Sequence, residues 1–311
     1  MRPSQIKSAA LMATRYPNQQ DSSLASAASS FPTSMPSLLI TGACGYIGRH
    51  LIPFLAEQGE FSITAVSSQS QVHSLFTDCA SPVKAVCSEL SDLSSDLAGD
   101  HDVLLNLASA GVAHKNSQDV ESLIANIGIA CEVARLAKHT RKCQLLHFGS
   151  DSEQSNLSVF LGAAQGMSLP VSMSHEENSL YSLSKLVQST LLRYYSSTTE
   201  LGVHVIMTPN VYGGLDSPGS LMGGMKAALQ SKQKYIIKKP SVIKRFVHVK
   251  PFFAYVYALL QDLLLRAEYR ENCHGFEVSS VDFVPTTSVE EFARCQWHRL
   301  GGEDQDLLVS H

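Results

Sequence analysis

The sequence has no closely spaced cysteine pair and no histidine pair with the spacing of a metal site. Its seven cysteines are dispersed along 311 residues, and none of them form a C-x-x-C pair. An odd, scattered set argues against a disulfide framework or a zinc site and is typical of a reducing compartment. Twelve histidines are present, but no H-x-x-x-H or mixed His/Cys cluster has ligand spacing, so no metal site is predicted.

The sequence also lacks an excess of charge of one sign and a long uninterrupted apolar run. Its net charge is −4 and its pI is about 6.3, which offers no basic surface to nucleic acid or an anionic membrane. The longest apolar stretch, Phe252 to Leu265, is interrupted by Gln261 and Asp262 and is too short to span a bilayer. We therefore expect a cytoplasmic protein that binds neither nucleic acid nor membrane.

Acidic residues are almost missing from the first segment of the chain. Residues 1–35 contain one acid, Asp21, and are rich in serine, alanine and glutamine. Such a segment cannot bury enough apolar surface to offset its ordering entropy, so residues 1–36 are predicted to form a disordered N-terminal extension. Organellar targeting stays the alternative, because transit peptides are also basic, serine-rich and acid-poor.

From Ser37 onward, short apolar runs alternate with segments of helical spacing. Strands alternating with helices indicate βαβ units and a parallel sheet covered on both faces. The prediction is a doubly wound α/β protein whose alternation loosens past Gly213 into a smaller C-terminal lobe. The predicted strands are 37–41, 61–66, 83–86, 103–107 and 143–148. The apolar faces of the two long helices are predicted to carry Leu123, Ile124, Ile127, Cys131, Ala134 and Ala137, and Leu183, Leu186, Val187, Thr190 and Leu191.

A glycine-rich turn joins the first strand to the first helix. Gly42, Gly45 and Gly48 form a G-x-x-G-x-x-G pattern, with Tyr46 and Ile47 between the last two glycines. The first glycine permits the tight turn, the second lets the backbone approach a pyrophosphate, and the third allows close packing of helix on strand. The N-terminus of the helix then offers N–H groups and a positive dipole end to the phosphates. This context predicts nucleotide binding at the turn, with the three glycines, Tyr46 and Ile47 in contact with the cofactor.

The end of the second strand indicates which dinucleotide is used. A carboxylate there would bond the adenosine ribose 2′-hydroxyl and repel a 2′-phosphate. The sequence instead has Ser67 and Ser68, followed by Gln69, with no acid and no arginine in this segment. Hydroxyl groups can bond a 2′-phosphate, so the cofactor is predicted to be NAD or NADP, with a preference for NADP.

A second motif, Y-x-x-x-K, places Tyr181 and Lys185 in a predicted helix. The i, i+4 spacing brings both side chains to one face, about 5–6 Å apart at Cβ. An ammonium beside a phenol favours the phenolate and is predicted to lower the pKa of Tyr181. Tyr181 would then exchange a proton with a substrate oxygen near neutral pH, and Lys185 would also reach the nicotinamide ribose.

With these motifs the chain resembles the extended short-chain dehydrogenase/reductases, in the NAD-dependent epimerase/dehydratase family that includes many nucleotide-sugar enzymes. The resemblance runs from Leu38 to about Arg299. It rests on motifs in one fixed order: 41–48, 105–109, Asn126, 148–152, 181–185, 209–213 and 245–249.

The resemblance implies roles for individual residues. The catalytic hydroxyl residue of the family falls on Ser150, which would bond the reacting substrate oxygen, with Tyr181 as general acid/base and Lys185 as its partner. Asn210 and Arg245 match positions that contact substrate phosphates in nucleotide-sugar enzymes, and a guanidinium suits phosphate because it forms a bidentate fork. Further cofactor contacts are implied at the ends of the third and fourth strands: Glu89, Leu90, Leu107 and Ala108.

Departures from the family pattern narrow the expected reaction. Family dehydratases carry adjacent Asp and Glu after the catalytic threonine, whereas here Asp151 is followed by Ser152. Loss of that base disfavours dehydration and leaves 4-keto reduction or epimerisation of a nucleotide-linked sugar by the Ser–Tyr–Lys set. Met207 and the pair Lys250-Pro251 also depart from the family pattern in the segments expected to bind substrate.

Two other functions stay open at this stage. One is the NADP-dependent reduction of a carbonyl compound that carries no nucleotide, and the other is a non-catalytic NAD(P) sensor on the same fold. The expected domains are a Rossmann domain over residues 37–212 and, over 213–311, mostly a substrate-binding lobe interleaved with the Rossmann core. The expected partner is a small-molecule substrate, and the resemblance also implies a homodimer.

Overall fold

The computed structural model describes residues 35–111, 119–153, 180–217, 219–269 and 275–310. The predicted extension therefore lies outside the described residues, apart from Met35 and Pro36. The strands are β1 (Ser37–Thr41), β2 (Ser62–Ser67), β3 (Val83–Cys87), β4 (Val103–Asn106), β5 (Gln144–Phe148), β6 (Gly202–Met207), β7 (Asn210–Tyr212), β8 (Tyr235–Ile237), β9 (Ile243–His248), β10 (Gly275–Ser280), β11 (Thr286–Ser288) and β12 (Leu307–Val309). The helices are α1 (Gly48–Gln58), α2 (Val72–Leu75), α3 (Ser95–Gly99), α4 (Val120–Ala137), α5 (Leu180–Thr198), α6 (Leu221–Gln230), α7 (Val249–Tyr269) and α8 (Val289–Arg299).

Seven strands form one parallel sheet in the order β3-β2-β1-β4-β5-β6-β10. The first six follow the strand order of a doubly wound dinucleotide-binding fold, in which the order reverses between β1 and β4. The predicted α/β fold with a doubly wound parallel sheet is confirmed. β10 adds a seventh strand outside β6, so the chain returns to the large sheet after residue 213.

Both faces of the central strands β1, β4 and β5 are buried, as a parallel sheet requires. Successive residues of β1 point to opposite faces. Leu38 and Ile40 join a core shared with α1 and α7, whereas Leu39 joins a core shared with α4 and α5. All three leucine and isoleucine side chains are fully buried, which accounts for the continuous apolar run in the sequence.

The buried faces of α4 and α5 differ from the sequence prediction. α4 buries Ser122 and Asn126, and 63% of Ile124, predicted on its apolar face, is exposed. α5 buries a largely polar set: Ser182, Ser184, Lys185, Gln188, Leu192 and Ser196. Ala134 and Ala137 of α4 are buried as predicted, but the other predicted residues are only half-buried or exposed, because hydrogen bonds between the two helices and the sheet edge, described below, hold these polar side chains inside.

The smaller lobe contains the three-stranded sheet β11-β9-β7, the pair β12-β8, and helices α6 and α8. Its own core is centred on Trp297 and Met225, both fully buried, with Phe292 packed face to face on Phe246. β9 ends where α7 begins, and α7 packs on the large sheet. The continuous segment Ile243 to Tyr269 therefore connects the two lobes, as do the links from β6 to β7 and from β10 to β11.

Local boundaries mostly agree with the sequence. Gly59 ends α1 with φ of 70°, the left-handed conformation that glycine commonly adopts after the last residue of a helix. Cys143 was predicted to begin β5, but its φ is 48° and its N–H bonds the Thr140 carbonyl, so the strand starts one residue later. The carbonyl of Pro36 accepts a hydrogen bond from Ser62 at 2.9 Å, which makes the last residue of the predicted extension part of the fold.

Candidate functional site

The carboxyl ends of the parallel strands meet at one edge of the large sheet. The predicted cofactor and catalytic residues directly follow these ends: Gly42 after β1, Ser67 and Ser68 at β2, Glu89 and Leu90 after β3, Leu107 and Ala108 after β4, and Ser150 after β5. This edge, beside the point where strand order reverses, is where α/β sheets bind ligands. The structure thus brings these residues to one crevice.

In the glycine turn after β1, Gly42 and Gly48 leave no space for a larger side chain. Gly42 has φ of 72°, and a Cβ atom there would lie 2.4 Å from the Ala108 nitrogen. A Cβ on Gly48 would lie 2.5 Å from the Ala43 carbonyl oxygen. The first hydrogen bond of the helical turn runs from Arg49 N–H to the Gly45 carbonyl at 3.0 Å, so the N–H groups just before Arg49 lie at the helix N-terminus. The turn therefore fits a dinucleotide pyrophosphate.

A row of buried polar side chains lies beneath this turn. The Thr41 hydroxyl donates to Asn106 Oδ1 at 2.7 Å, and Asn106 Nδ2 donates to His147 Nδ1 at 2.9 Å. The three residues are register neighbours on β1, β4 and β5. Asn106 Oδ1 also accepts the Ala108 N–H at 3.1 Å, which fixes the backbone that Gly42 approaches. Burial, with the Lys185 charge second, holds the pKa of His147 well below its usual range, so the imidazole is neutral.

The side of the turn that faces β2 contains an arginine that sequence reasoning missed. The Arg49 guanidinium donates to the Cys44 carbonyl at 2.7 Å, and the Cys44 sulfur lies 4.0 Å from the Gln69 carbonyl oxygen. The Nε of Arg49 is buried and has no hydrogen-bond partner among the described residues. Arg49 is therefore linked through Cys44 to the segment just after β2, two residues past Ser67. The sequence contained an indication of this cation, because Arg49 directly follows the third glycine of the motif.

Tyr46 was predicted to contact the cofactor, and its side chain has another partner. The hydroxyl oxygen lies 2.5 Å from the Gly213 carbonyl oxygen and 3.0 Å from Asp216 Oδ1, so its single proton has two acceptors within reach. Burial and the Asp216 carboxylate raise the pKa of Tyr46, which keeps the phenol protonated. The ring thereby connects the glycine turn to the segment after β7, while the neighbouring Ile47 is half-buried against the core.

Tyr181 and Lys185 lie at the start of α5, next to the end of β5. Lys185 is 2% exposed, and its Nζ donates to the Phe148 carbonyl at 2.7 Å. Burial lowers the pKa of Lys185 to about 8, against the opposing effect of the Glu153 charge. Lys185 is therefore held by the backbone of β5, two residues before Ser150.

The pKa of Tyr181 is shifted in the direction opposite to the sequence prediction. Burial raises it to about 12, and the Glu153 charge adds to this, while a hydrogen bond with Ser109 acts in the other direction. The predicted lowering by Lys185 was wrong, because the ammonium is bonded to the Phe148 carbonyl and both groups are desolvated. Tyr181 is consequently a protonated phenol at neutral pH and can act as a proton donor.

Asn126 on α4 joins the segment after β4 to α5. Its Oδ1 accepts from the Ala110 N–H at 2.8 Å and from the Ser109 hydroxyl at 3.3 Å. Its Nδ2 donates to the Ser184 hydroxyl at 2.8 Å. Because Ser109 also bonds Tyr181, Asn126 helps to fix the phenol indirectly. Ser109 is a second site residue that the sequence reasoning quoted only as part of a motif.

Ser150 lies in a tight turn after β5. Its Oγ is 2.8 Å from the Ser152 Oγ and accepts the Ser152 N–H at 3.2 Å. Its own N–H donates to Glu153 Oε1 at 2.8 Å. Glu153, which sequence reasoning did not select, is 3% exposed and lies close enough to Tyr181 and Lys185 to affect both pKa values.

Arg245, predicted to contact substrate phosphates, is paired with Asp151. Its Nε donates to Asp151 Oδ2 at 2.8 Å, a second nitrogen contacts Oδ1, and Nη1 donates to the Ser280 hydroxyl at 2.8 Å. Asn210 is exposed and donates to the Arg245 carbonyl at 3.1 Å. Both predicted substrate residues therefore lie together, next to the turn that contains Ser150.

Neither a metal centre nor a membrane span is found in the described ranges. No group of three or more His, Cys, Asp and Glu side chains there could hold a metal ion. No helix within those ranges is both long and apolar enough to cross a membrane.

A doubly wound sheet with a glycine turn at its switch point defines a dinucleotide-binding protein of the Rossmann class. The particular family follows from sequence: the profile of the NAD dependent epimerase/dehydratase family matches residues 38–266, and the chain belongs to this family of NAD-dependent enzymes. The resemblance to the extended short-chain dehydrogenase/reductases is thus confirmed. No curated protein matches the chain by sequence.

Solved structures that are similar to this chain include three nucleotide-sugar enzymes. One is dTDP-glucose 4,6-dehydratase from Bacillus anthracis in complex with NAD, at 18% identity and a TM-score of 0.65, covering 88% of this chain and 84% of that one. Another is UDP-glucuronic acid 4-epimerase from Bacillus cereus in complex with UDP-glucuronic acid and NAD. Its sequence identity is 17% and its TM-score 0.66, and the match covers 88% of this chain and 85% of that one. A third is UDP-glucose 4-epimerase from Thermotoga maritima with UDP-glucose. Its sequence identity is 14% and its TM-score 0.64, and the match covers 88% of this chain and 85% of that one.

Proposed function

We propose that this protein is an NAD(P)-dependent reductase or epimerase that acts at C4 of a nucleotide-linked sugar. The observation that carries the proposal is the convergence of Ser150, Tyr181 and Lys185, with Lys185 bonded to the end of β5 and Tyr181 protonated. The nucleotide-sugar part is supported by family membership and by the substrates named for structures of the same fold.

The residues of this chain divide the reaction as follows. The glycine turn of Gly42, Gly45 and Gly48 and the ammonium of Lys185 would hold NAD(P), which would supply or take the hydride at C4 of the sugar. Ser150 orients the carbonyl oxygen by a hydrogen bond, since its Oγ already accepts the Ser152 N–H and its proton can point outward. Tyr181 gives its proton to that oxygen during reduction and recovers it in the reverse direction. Lys185 holds the ribose and stabilises the phenolate that forms.

Elimination of water is disfavoured by the same geometry. Asp151 is the acidic residue that a dehydratase would need beside Ser150, but its carboxylate is engaged by the Arg245 guanidinium. Ser152 stands in place of the second acid and is bonded to Ser150. We therefore place reduction or epimerisation ahead of dehydration.

We also propose NADP as the preferred cofactor. Arg49 offers a positive charge that the end of β2 itself does not contain, and Cys44, which it contacts, also lies 4.0 Å from the Gln69 carbonyl oxygen, just past the hydroxyl residues Ser67 and Ser68. A guanidinium with a buried, unpartnered Nε is suited to bond an additional phosphate.

One observation favours a second candidate, the reduction of a carbonyl compound without a nucleotide. The hydrogen bonds of Arg245 to Asp151 and Ser280 occupy the fork that a diphosphate would otherwise receive. If the pair persists with substrate bound, the arginine anchors the turn of Ser150 and recognises no phosphate. The non-catalytic alternative is less well supported, because Tyr181 and Lys185 are both retained.

A homodimer through α4 and α5 is proposed as well. Val120, Ile124 and Tyr194 are 53%, 63% and 63% exposed, so these helices offer apolar side chains on their outer faces.

The experiment that tests the proposed function is a screen of nucleotide 4-keto-sugars and of simple carbonyl compounds, each with NADH and NADPH, followed at 340 nm. Turnover of nucleotide sugars alone supports the first candidate, and turnover of simple carbonyl compounds alone supports the second. Absence of turnover with either class, in protein that binds cofactor, would contradict both.

A further inference from the structure

Glu153 is a buried carboxylate in the candidate site to which no role has been assigned. It is 3% exposed and lies at the end of the turn that begins with Ser150. Space for it exists because residue 149 is glycine: a Cβ there would lie 2.7 Å from Glu153 Oε1 and 2.9 Å from Val205 Cγ1. Any side chain at position 149 would displace the carboxylate, so the turn is shaped around it.

Glu153 and Ser150 bond each other reciprocally. The Ser150 N–H donates to Glu153 Oε1 at 2.8 Å, and the Glu153 N–H donates to the Ser150 carbonyl at 3.0 Å. The S-x-x-E spacing is that of a helix capping box, which ordinarily lies at the surface. The start of α8 has the same spacing in an exposed setting, where Glu291 N–H donates to the Ser288 hydroxyl at 3.0 Å. A cap needs no burial, so burial of Glu153 calls for another cause.

The ionised form of Glu153 is favoured by a contact with the Ser189 hydroxyl and, after it, by the ammonium of Lys185. Lys185 is 2% exposed, and a buried ammonium is costly without a counter-charge. Burial lowers the pKa of Lys185 to about 8, and the charge of Glu153 acts against that lowering. In return the Lys185 charge opposes the burial that raises the pKa of Glu153.

Other charged groups around Lys185 are fixed across the neutral range. On β5, His147 is neutral because its pKa lies well below its usual range. After β5, Asp151 is paired with Arg245. On α5 itself, Tyr181 has a pKa of about 12 and stays protonated. On α4, the facing group is the uncharged Asn126. Glu153 is therefore the carboxylate that balances the lysine.

We propose that Glu153 is a positioning residue that serves the catalytic serine and the catalytic lysine together: its carboxylate fixes the Ser150 backbone and is the buried counter-charge of Lys185, whose Nζ is bonded to the Phe148 carbonyl next to Gly149. This proposal rests on the proposed function, since it takes Lys185 to bind the cofactor ribose and to support Tyr181. It adds a fourth residue to the Ser–Tyr–Lys set, one that acts through two of the others.

The test separates the charge of Glu153 from its hydrogen bond. Glu153→Gln keeps an oxygen that can accept the Ser150 N–H but removes the charge, whereas Glu153→Asp keeps the charge on a side chain too short for that bond. NADPH affinity is measured by cofactor fluorescence from pH 6 to 10, and kcat is measured with the best substrate found. Lys185→Met gives the pH dependence of NADPH affinity in the absence of the ammonium. Glu291→Gln, at the exposed cap of α8, is the matched control.

In the wild type, cofactor affinity should fall as pH rises through about 8, the pKa of Lys185. Glu153→Gln should move that midpoint down by about one pH unit, because an ammonium without its counter-charge loses its proton more readily. Glu153→Asp should keep the wild-type midpoint and lower kcat, because the Ser150 turn loses its bond. Glu291→Gln should resemble the wild type in both respects.

A wild-type midpoint in Glu153→Gln, with a native circular dichroism spectrum and with Lys185→Met clearly different, would overturn this proposal and leave the proposed function standing. If Lys185→Met has the same pH dependence as the wild type, the role of Lys185 in the proposed function fails, and this inference fails with it.

Discussion

Arg245 on β9 and Asp151 in the turn after β5 form an ion pair with two contacts, across the boundary between the smaller lobe and the large sheet. Their side chains are only 15% and 21% exposed, so the pair is screened less than a surface ion pair. A substrate diphosphate that binds Arg245 has to compete with Asp151 for the guanidinium. This competition gives the first prediction.

Arg245→Ala should raise the KM of a nucleotide-sugar substrate by roughly 10- to 100-fold, since losing a charge-assisted pair costs about 1.5–3 kcal/mol. Arg245→Lys should recover part of this, because an ammonium keeps the charge but not the fork. Asp151→Asn should act in the opposite direction and lower KM. Steady-state kinetics measure all three, and an unchanged KM in Arg245→Ala would favour the substrate class without a nucleotide.

Tyr181→Phe should reduce kcat by about 10²- to 10⁴-fold and leave cofactor affinity nearly unchanged, because it removes a proton donor and little apolar area. The protonated state of Tyr181 makes the loss specific to proton transfer. Single-turnover hydride transfer and NADPH fluorescence measure the two quantities separately. Retention of more than about a tenth of kcat would show that another group supplies the proton.

Arg49→Ala should weaken NADPH binding by roughly 10- to 100-fold and leave NADH binding almost unchanged, because the two cofactors differ only by the 2′-phosphate. NADH is the internal control for damage to the glycine turn. An equal loss for both cofactors would indicate that Arg49 only supports the Cys44 carbonyl, which it contacts at 2.7 Å.

His147 should make the protein less stable in acid. Its pKa is depressed in the folded state, so the unfolded chain binds the proton first, and stability is lost as pH falls below the unfolded value of about 6.5. The free energy of unfolding, measured with urea at pH 7.5 and at pH 5.5, should differ less between the two pH values in His147→Asn than in the wild type. One proton taken up on unfolding changes this free energy by about 1.4 kcal/mol per pH unit. The same substitution at the exposed His139 should leave the difference intact; equal pH dependence in all three proteins would contradict this explanation.

Ile124→Lys should convert the proposed dimer to a monomer, because it places a charge among the apolar side chains on the outer faces of α4 and α5. Ile243, which is 61% exposed on β9 of the smaller lobe, provides the matched control as Ile243→Lys. Light scattering after gel filtration measures the mass of each variant. A wild-type protein that is already monomeric would rule out this interface.

The fold and most of the cofactor crevice follow from local patterns in the sequence. Apolar runs of strand length, the glycine turn and the Y-x-x-x-K spacing each depend on neighbours a few residues apart. The errors came from contacts between distant residues. The polar faces of α4 and α5 are buried because Asn126 bonds Ser184, and no apolar periodicity reports such a bond.

The same cause explains what was missed at the site. Arg245 is paired with a residue 94 positions away, and Arg49 supplies a charge that was looked for only after β2. The direction of the Tyr181 pKa depends on burial and on Glu153, neither of which the i, i+4 spacing with Lys185 contains.

The position of β10 has a consequence for synthesis of the chain. β6 is complete at Met207, yet the strand that covers its outer edge begins only at Gly275, after most of the smaller lobe. During synthesis on the ribosome, the backbone N–H and C=O groups of that edge therefore remain unpaired until β10 has been made. An unpaired strand edge can form hydrogen bonds with other chains. A polypeptide released before residue 275 should aggregate even though it contains the glycine turn, Tyr181 and Lys185, so the last part of the chain protects the nascent protein in addition to completing its sheet.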